Sequence, residues 1–323
     1  MKIVNKAKHA IMYYKEYGCV CFLITFLNRL FPYKPGSSFR WRLLQTKHKV
    51  LLDYLSNRYY PFALKAQVKF QNESKYGECI WTAWLQGEEA APEPIKMTLA
   101  SIRKNANGHQ VIVLTNDNID HFVDVPQEIK EKYQRKIIIN AHYADVVRML
   151  VLAKYGGLWL DATTMLQRPI DETSFSKVFY SVALPETKPS RFVSNYKWIV
   201  GILGGTPESM YLSQISSMLN AYWYDHETSI DYLVFDYLIA VLYQKDKAFS
   251  EAVDVLPRMK NYAKSLQNIM NTPYDENVMK LMAIEGQYYH ITYKKNYLKK
   301  LPDGRQTMYG HFIESYLKDG EGN

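Results

Sequence analysis

The chain has 323 residues and a formal net charge of +8 at pH 7, and hydrophobic residues make up 47% of it. This length and apolar content can bury a full core, which excludes general disorder and fibrous repeats. Aromatic residues reach 14%, a content that suits a protein packing flat ligands such as sugar rings or bases. The positive charge predicts anionic partners (nucleotides, anionic lipid or nucleic acid) without choosing among them.

Residues 1–75 are predicted to form a basic, aromatic helical region. Apolar residues recur at spacings of three and four over residues 2–17 and 40–60, and the turn-forming PYKPGSS separates the two stretches. The apolar run CVCFLITFL reaches only about half of the ~18 residues that a spanning helix needs, and no cleavage site follows it. The region is therefore expected either to lie on an anionic membrane surface or to pack as a helical hairpin against the next domain.

From residue 76 the pattern changes to alternating strands and helices. Strands are predicted at ECIWTAWL, HQVIVLTND and LWLDA, with helices at residues 95–105 and 145–155. This order predicts an α/β unit with a mainly parallel sheet over residues 76–215. Ligands of such sheets bind beyond the carboxyl ends of the strands, where Asn116, Asp117 and Asp161 are expected. Residues 216–323 are predicted to be mostly helical and to end in a basic, Tyr-rich tail.

Known enzyme and disulfide motifs are missing from the sequence. The three cysteines do not form a disulfide framework, and reduced thiols in a cytosol are the expected state. The sequence has no glycine-rich dinucleotide motif, P-loop, HExxH or GxSxG. Dehydrogenases, P-loop kinases, zinc proteases and serine hydrolases therefore have no support.

The segment AHYADVVRMLVLAKYGG, which continues into LWLDATTML, holds the most informative polar residues. On a helix Asp145 and Arg148 share one edge, and the apolar residues around them predict that this helix is buried. A buried carboxylate and guanidinium must pair with each other or bind something else, and the spacing leaves both open. After the Gly-Gly bend, Asp161 and Thr163 face one side if the segment is extended. They would then offer oxygens to a cation, a ribose or a phosphate, whereas a simple Asp turn is the alternative.

Together, the block ADVVRMLVLAKYGGLWLDAT resembles glycosyltransferase family 32 and the related capsular polysaccharide synthesis proteins. IWTAWLQGEEAAPEPIKMTLASIRKN and VIVLTNDN are similar to that family's first strand, Trp-rich loop, first helix and second strand. The resemblance covers about residues 78–170 well and the first 75 residues hardly at all. It implies a GT-A type, Rossmann-like fold with a DXD motif. It also implies a retaining transferase that moves a hexose, glucose or galactose, from a UDP-sugar.

The resemblance also implies a set of site residues. The catalytic residues would be Asp145, Arg148 and Asp161. The donor-binding residues would be these three together with Trp81, Trp84, Gln86, Asn116, Thr163, Lys294 and Lys295. Asp161 and Thr163 would hold Mn²⁺ or Mg²⁺, although Thr163 replaces the second Asp of the motif and a hydroxyl is the weaker ligand. The two lysines would then help to hold the diphosphate as the C-terminal region closes the donor site.

The predicted partners are a UDP-sugar donor, a lipid-linked glycan acceptor of capsule or exopolysaccharide synthesis, and an anionic membrane surface. The predicted location is cytoplasmic, peripheral on the inner face of the cell membrane. A catalytically weak or inactive glycan- or nucleotide-sugar-binding protein is the alternative because of Thr163. A nucleic-acid-binding protein is a remote alternative, since the sequence has no RNP or zinc-knuckle motif.

Five other residues are weaker candidates. Asp236 is predicted either to receive the acceptor hydroxyl or to be a satisfied buried carboxylate, and Trp198 to border the acceptor or the core behind it. The histidines are predicted to be structural: His142, His290 and His311.

Overall fold

The computed structural model of the protein describes residues 2–68, 76–185, 190–259 and 264–318. The strands are β1 Ile80–Ala83, β2 Val111–Leu114, β3 Gly157–Leu160, β4 Thr164–Leu166, β5 Ile202–Gly205 and β6 Tyr288–His290. The helices are α1 Lys2–Leu30, α2 Ser38–Leu64, α3 Glu93–Lys104, α4 Ile119–Phe122, α5 Gln127–Gln134, α6 Asn140–Tyr155, α7 Thr173–Ser176, α8 Met210–Asp225, α9 Val234–Lys245, α10 Lys247–Asp254, α11 Lys264–Ile269, α12 Glu276–Glu285 and α13 Met308–Ile313. A π-helical turn at Glu314–Lys318 follows α13.

The central sheet has the strand order β2-β1-β3-β5. β1 runs parallel to both β2 and β3, whereas β5 is antiparallel to β3 at the edge. Helices cover such sheets on both faces, which is why β1 and β3 are apolar runs rather than alternating ones. The predicted mixed α/β fold with a mostly parallel sheet is confirmed. α6 begins at Asn140, earlier than the predicted start at Asp145.

A second, two-stranded sheet joins distant parts of the chain. β4 pairs antiparallel with β6, so that Thr164 lies opposite His290. This pairing brings the C-terminal segment beside the turn that follows β3. The basic, Tyr-rich tail therefore begins at the edge of the predicted ligand site.

α1 and α2 form a hairpin that packs against α8 and α9. Tyr13, Tyr17, Cys21 and Ile24 recur at helical spacing on α1 and are buried. The Tyr17 hydroxyl lies 2.7 Å from the Tyr222 hydroxyl of α8. This arrangement agrees with the packed-hairpin alternative for the N-terminal region.

The opposite face of α1 is apolar and exposed. Its exposed apolar side chains are Ile11, Met12, Tyr14, Val20, Leu23, Phe26, Leu27 and Leu30. By length and composition Ala10–Leu30 is long and apolar enough to cross a membrane, with a mean hydropathy of 1.3 and 28% of the segment buried. The sequence-based expectation that no stretch would reach this length considered only unbroken apolar runs. The helix is kinked at Gly18, where φ is 77°.

The predicted division into residues 1–75, 76–215 and 216–323 remains a prediction. Its first boundary adjoins residues 69–75, which lie outside the described residues. One hydrophobic cluster extends from Tyr13 of α1 through Trp81 of β1 to Val241 of α9. The three predicted parts therefore share a core.

The Gly156-Gly157 bend sets how closely β3 approaches β1. Both glycines have positive φ, 70° and 91°. A Cβ atom on Gly157 would lie 2.5 Å from the Cys79 carbonyl oxygen and 2.9 Å from Trp81 Nε1. Only glycine lets the chain reverse here without pushing the two strands apart.

We expect Gly157→Ala to lower the free energy of unfolding by at least about 3 kcal/mol, because it adds backbone overlap to a positive φ. Gly304→Ala is the matched control, since Gly304 has φ 88° with nothing within 4 Å of the added carbon. The control should cost about 1 kcal/mol. Denaturant unfolding measures both, and equal losses would contradict the close approach of β1 and β3.

Candidate functional site

A cleft of about 450 Å³ opens at the carboxyl ends of β1 and β3. The loop after β1, the inner edge of α6, the turn after β3, the start of α9 and the segment after β6 form its walls. Of the predicted site residues, those that line it are Trp84, Gln86, Asp145, Arg148, Asp161, Thr163 and Lys294. The fold thus brings together residues that are more than 200 positions apart along the chain.

Three predicted donor-binding residues do not line the cleft. Trp81 is fully buried in β1, and its ring N–H donates to the Gly156 carbonyl oxygen at 3.0 Å. Trp81 therefore packs in the core, outside the lining of the cleft. Asn116 accepts a hydrogen bond from the Tyr133 hydroxyl at 3.4 Å outside the cleft. Lys295 is exposed next to Lys294 and is not part of the lining.

Arg148 is the central cation of the cleft and is only 4% exposed. Its Nη2 donates to Asp161 Oδ1 at 2.6 Å, and its Nη1 donates to the Val200 carbonyl oxygen at 2.8 Å. Nη1 also lies 3.3 Å from Asp145 Oδ1. Arg148 therefore does more than pair with Asp145 on its own helix, because it links α6 to the turn after β3.

The segment from Asp161 to Thr164 is a turn, so the predicted extended geometry is wrong. The Thr164 amide donates to the Asp161 carbonyl oxygen at 2.7 Å, which closes the turn. The Asp161 and Thr163 side chains still border the same cleft. Asp161 Oδ1 receives a second hydrogen bond, from Trp159 Nε1 at 2.8 Å. This fixes the carboxylate at the mouth of the cleft.

Two buried carboxyl groups of the cleft have raised pKa values. Burial raises the pKa of Asp145 to about 7; Arg148 opposes this shift, and the charges of Asp161 and Asp236 add to it. Burial also raises the pKa of Asp236 to about 7, against the hydrogen bond that Trp198 Nε1 donates at 3.1 Å. Both groups therefore titrate near neutral pH, which is typical of functional sites.

The structure adds cleft residues that the sequence did not indicate. His142 and His290, predicted to be structural, both line the cleft, as do Tyr232 and Tyr293. Burial lowers the pKa of both histidines, so they are neutral at pH 7. The pairing of β6 with β4 brings His290 to the cleft, and no local sequence pattern indicates that pairing.

The three remaining candidates are His311, Trp198 and Asp236, and each lies in a position that the sequence analysis considered. His311 stacks on Tyr274 away from the cleft, with 4.1 Å between the ring centroids. Trp198 is buried behind the cleft and reaches it only through its hydrogen bond to Asp236. Asp236 itself lines the cleft.

The cleft offers few ligands to a metal ion. In the parts of the chain that the structure describes, no group of three or more His, Cys, Asp and Glu side chains could hold one. Oδ1 of Asp161 is used by Arg148 and Trp159, which leaves Oδ2 and the Thr163 hydroxyl. Magnesium is often held by one or two carboxylates together with substrate phosphates. The residues present therefore fit a cation that a diphosphate helps to bind, and not a cage built by protein alone.

A larger cavity of about 580 Å³ lies between α2, α6 and α8. Its charged lining residues are Asp124 and Lys154, and none of the predicted site residues borders it. Lys154 already donates to the Phe122 carbonyl oxygen at 2.9 Å. The chemistry of the lining, and not the volume, makes the smaller cleft the candidate site.

Comparison with known families identifies a family whose model covers most of the chain. The model of a family described as capsular polysaccharide synthesis protein matches residues 36–312. The match includes every cleft residue named above and excludes α1. A search of curated proteins found no match.

The pKa of Asp236 gives a testable dependence of stability on pH. Because its folded value, about 7, exceeds the ordinary 3.8, the folded state binds more protons between these values. Stability therefore falls as pH rises through this range. In Asp236→Asn, which has no charge to bury, we expect the loss of unfolding free energy from about pH 5 to about pH 8 to be smaller by about 2 kcal/mol.

Denaturant unfolding at the two pH values measures this difference. Asp53→Asn is the control, because Asp53 is an exposed carboxylate on α2. It should follow the wild type at both pH values. A loss in Asp236→Asn equal to that of the wild type would show that Asp236 is charged throughout.

Proposed function

The chain belongs to the capsular polysaccharide synthesis family, and from this membership we propose that it is a glycosyltransferase of capsule or exopolysaccharide synthesis. Its donor would be a UDP-sugar, with glucose or galactose as the hexose, and the transfer would retain the anomeric configuration. One observation carries the proposal. Asp145, Arg148 and Asp161 converge at one cleft, which Lys294 also lines.

The charges of the cleft suit the breaking of the bond between the anomeric carbon of the sugar and the diphosphate oxygen. This step develops positive charge on the sugar ring and negative charge on the diphosphate. Asp145 and Arg148 would orient the sugar hydroxyls and stabilise the sugar side, whereas Asp161 would lie on the diphosphate side. Lys294 would stabilise the leaving diphosphate, with exposed Lys295 beside it adding to the positive potential.

Aromatic walls support the binding of flat groups. The rings of Trp84 and Tyr293 meet edge to face, 5.3 Å between centroids, and join the loop after β1 to the segment after β6. Trp84 Nε1 and Arg148 Nε are buried without a hydrogen-bond partner among the described residues. Unmet donors are costly, and the oxygens of a bound sugar nucleotide would satisfy them after a small side-chain shift.

Asp161 Oδ2 and Thr163 are the groups that would hold Mn²⁺ or Mg²⁺ together with the donor phosphates. Such a cation would neutralise charge on the diphosphate. With Thr163 in the second position of the motif, the chain supplies only one carboxylate to the cation. We therefore infer that metal affinity depends on the bound donor.

The acceptor side of the proposal rests on Asp236. Its carboxyl lines the cleft, and a pKa of about 7 suits a group that accepts a hydrogen bond or a proton from a hydroxyl at neutral pH. Asp236 would thus orient the acceptor hydroxyl. We propose a lipid-linked glycan as the acceptor.

We also propose that the protein lies on the inner face of the cell membrane. The exposed apolar face of α1 and nearby cations such as Lys15 and Arg29 are typical of a surface that binds anionic lipid. The opposite face of α1 packs on the protein, which favours a helix lying on the membrane over one that crosses it.

A panel of UDP-sugars, tested for slow hydrolysis with and without Mn²⁺, tests the enzymatic proposal. We expect Asp161→Asn to reduce hydrolysis about a hundredfold, because the amide loses the charge that Arg148 and the donor site require. Asp117→Asn is the matched control: Asp117 follows the neighbouring strand at the same sheet edge but is exposed outside the cleft. It should hydrolyse within about twofold of the wild type.

Equal hydrolysis by Asp161→Asn and the wild type would contradict the assigned site. Tight UDP-sugar binding without hydrolysis or transfer would instead support the inactive binding protein. A filter-binding assay with RNA and DNA across salt concentrations addresses the nucleic-acid alternative, since phosphate binding weakens steeply as salt rises.

Flotation with vesicles of phosphatidylcholine and phosphatidylglycerol tests the membrane proposal. We expect the double variant Val20→Ser/Leu23→Ser to bind the vesicles at least about tenfold more weakly, because it loses two exposed apolar side chains of α1. Leu281→Ser/Ile284→Ser is the control, since it removes two exposed apolar side chains from α12. Equal partitioning of the two double variants would reject α1 as the membrane contact.

A further inference from the structure

A second cavity adjoins the candidate cleft beside α1. This cavity, of about 380 Å³, lies between α1, α2 and the loop before α9. His142 and Tyr232 line both the cleft and this second cavity. A molecule that is long enough could therefore occupy both.

The second cavity has an unpaired cation. Lys47 Nζ lies 2.5 Å from Asp231 Oδ2, so these two charges balance. Arg29, in the last turn of α1, has no hydrogen-bond or ion-pair partner within the described ranges 2–68, 76–185, 190–259 and 264–318. Neutral His142 adds no charge. The cavity is thus positive overall, and its free guanidinium has the planar donor pattern that binds phosphate in pairs of hydrogen bonds.

Apolar side chains lie next to this cation. Phe26 is one helical turn from Arg29 on α1 and is exposed, as are Leu30 and Phe31. Phe31 contacts exposed Phe39 of α2 edge to face, with 5.8 Å between centroids. A guanidinium beside exposed aromatic and aliphatic groups suits an amphiphile, in which an anionic group joins an apolar chain.

We propose that the second cavity is the acceptor subsite for the phosphate-bearing end of a lipid-linked glycan. Arg29 binds the phosphate with Lys47 nearby, the apolar chain lies along the exposed face of α1, and the sugar passes His142 and Tyr232 into the cleft. This inference rests on the proposed function, which it extends by assigning recognition of the acceptor. Arg29 precedes the segment matched by the family, which begins at residue 36.

Binding of farnesyl diphosphate, used below its micellar concentration, tests the proposal by calorimetry. Saturating UDP is present throughout so that the donor site is filled. We expect Arg29→Gln to weaken binding about tenfold, the loss expected for a charged hydrogen bond. Lys245→Gln removes the same charge from an exposed position at the end of α9 that lines neither cavity, and it should bind as the wild type does.

Two further ligands identify which part of the molecule is recognised. Farnesol lacks the anion and inorganic diphosphate lacks the chain, so both should bind the wild type more weakly than farnesyl diphosphate. Equal loss in Arg29→Gln and Lys245→Gln would overturn the subsite, as would a failure of the wild type to bind farnesyl diphosphate while UDP fills the donor site. Inorganic diphosphate binding as tightly as farnesyl diphosphate would overturn the lipid part of the proposal.

The outcome can be separated from that of the proposed function. UDP-sugar hydrolysis needs no acceptor, so Arg29→Gln should leave it unchanged and should keep the thermal midpoint of the wild type. Arg29→Lys keeps the positive charge and should recover part of the binding. If the wild type shows Arg29-dependent binding but no hydrolysis, the enzymatic proposal is contradicted and the subsite is supported. If it shows hydrolysis but no Arg29-dependent binding, the subsite is contradicted and the enzymatic proposal is supported.

Discussion

The candidate site depends on one buried guanidinium. Arg148 is held by Asp145 on its own helix, by Asp161 at the start of the turn after β3 and by the Val200 carbonyl oxygen. Moving a charge from water into the protein interior costs free energy, and these partners together offset that cost. The same contacts fix the distance between α6 and the turn after β3. Geometry and electrostatics of the cleft therefore have a common origin.

Burial and a shortage of positive charge around three carboxyl groups explain the raised pKa values of the site. Asp145, Asp161 and Asp236 all face a single buried cation, so burial and mutual repulsion outweigh its attraction for two of them. A bound cation or a polar substrate would relieve this repulsion. The same arrangement thus lowers the stability of the protein without ligand and favours ligand binding, as is common where a site is organised before its ligand arrives.

The predictions from sequence succeeded where the signal is local. The apolar runs and the helical spacing around Asp145 indicated the strands and α6, and Gly156-Gly157 indicated the chain reversal. They failed where a side chain's surroundings depend on distant segments. Trp81 sits in a motif that resembles a donor loop, yet it is buried in the core, because both faces of β1 are covered. Thr163 lies in a turn and not on an extended strand, because the Asp161 carbonyl oxygen accepts a hydrogen bond from the Thr164 amide.

The sequence by itself determined the mostly parallel α/β core and the shared helix edge of Asp145 and Arg148, because periodicity and strand order carry that information. The family resemblance added Asp161 to this pair. Only the tertiary structure decided which further groups face the cleft. His290 arrives through a pairing of three-residue strands distant in the chain, and Arg29 through the packing of α1 on the protein. Such contacts are set by how whole elements pack, and no local spacing records them.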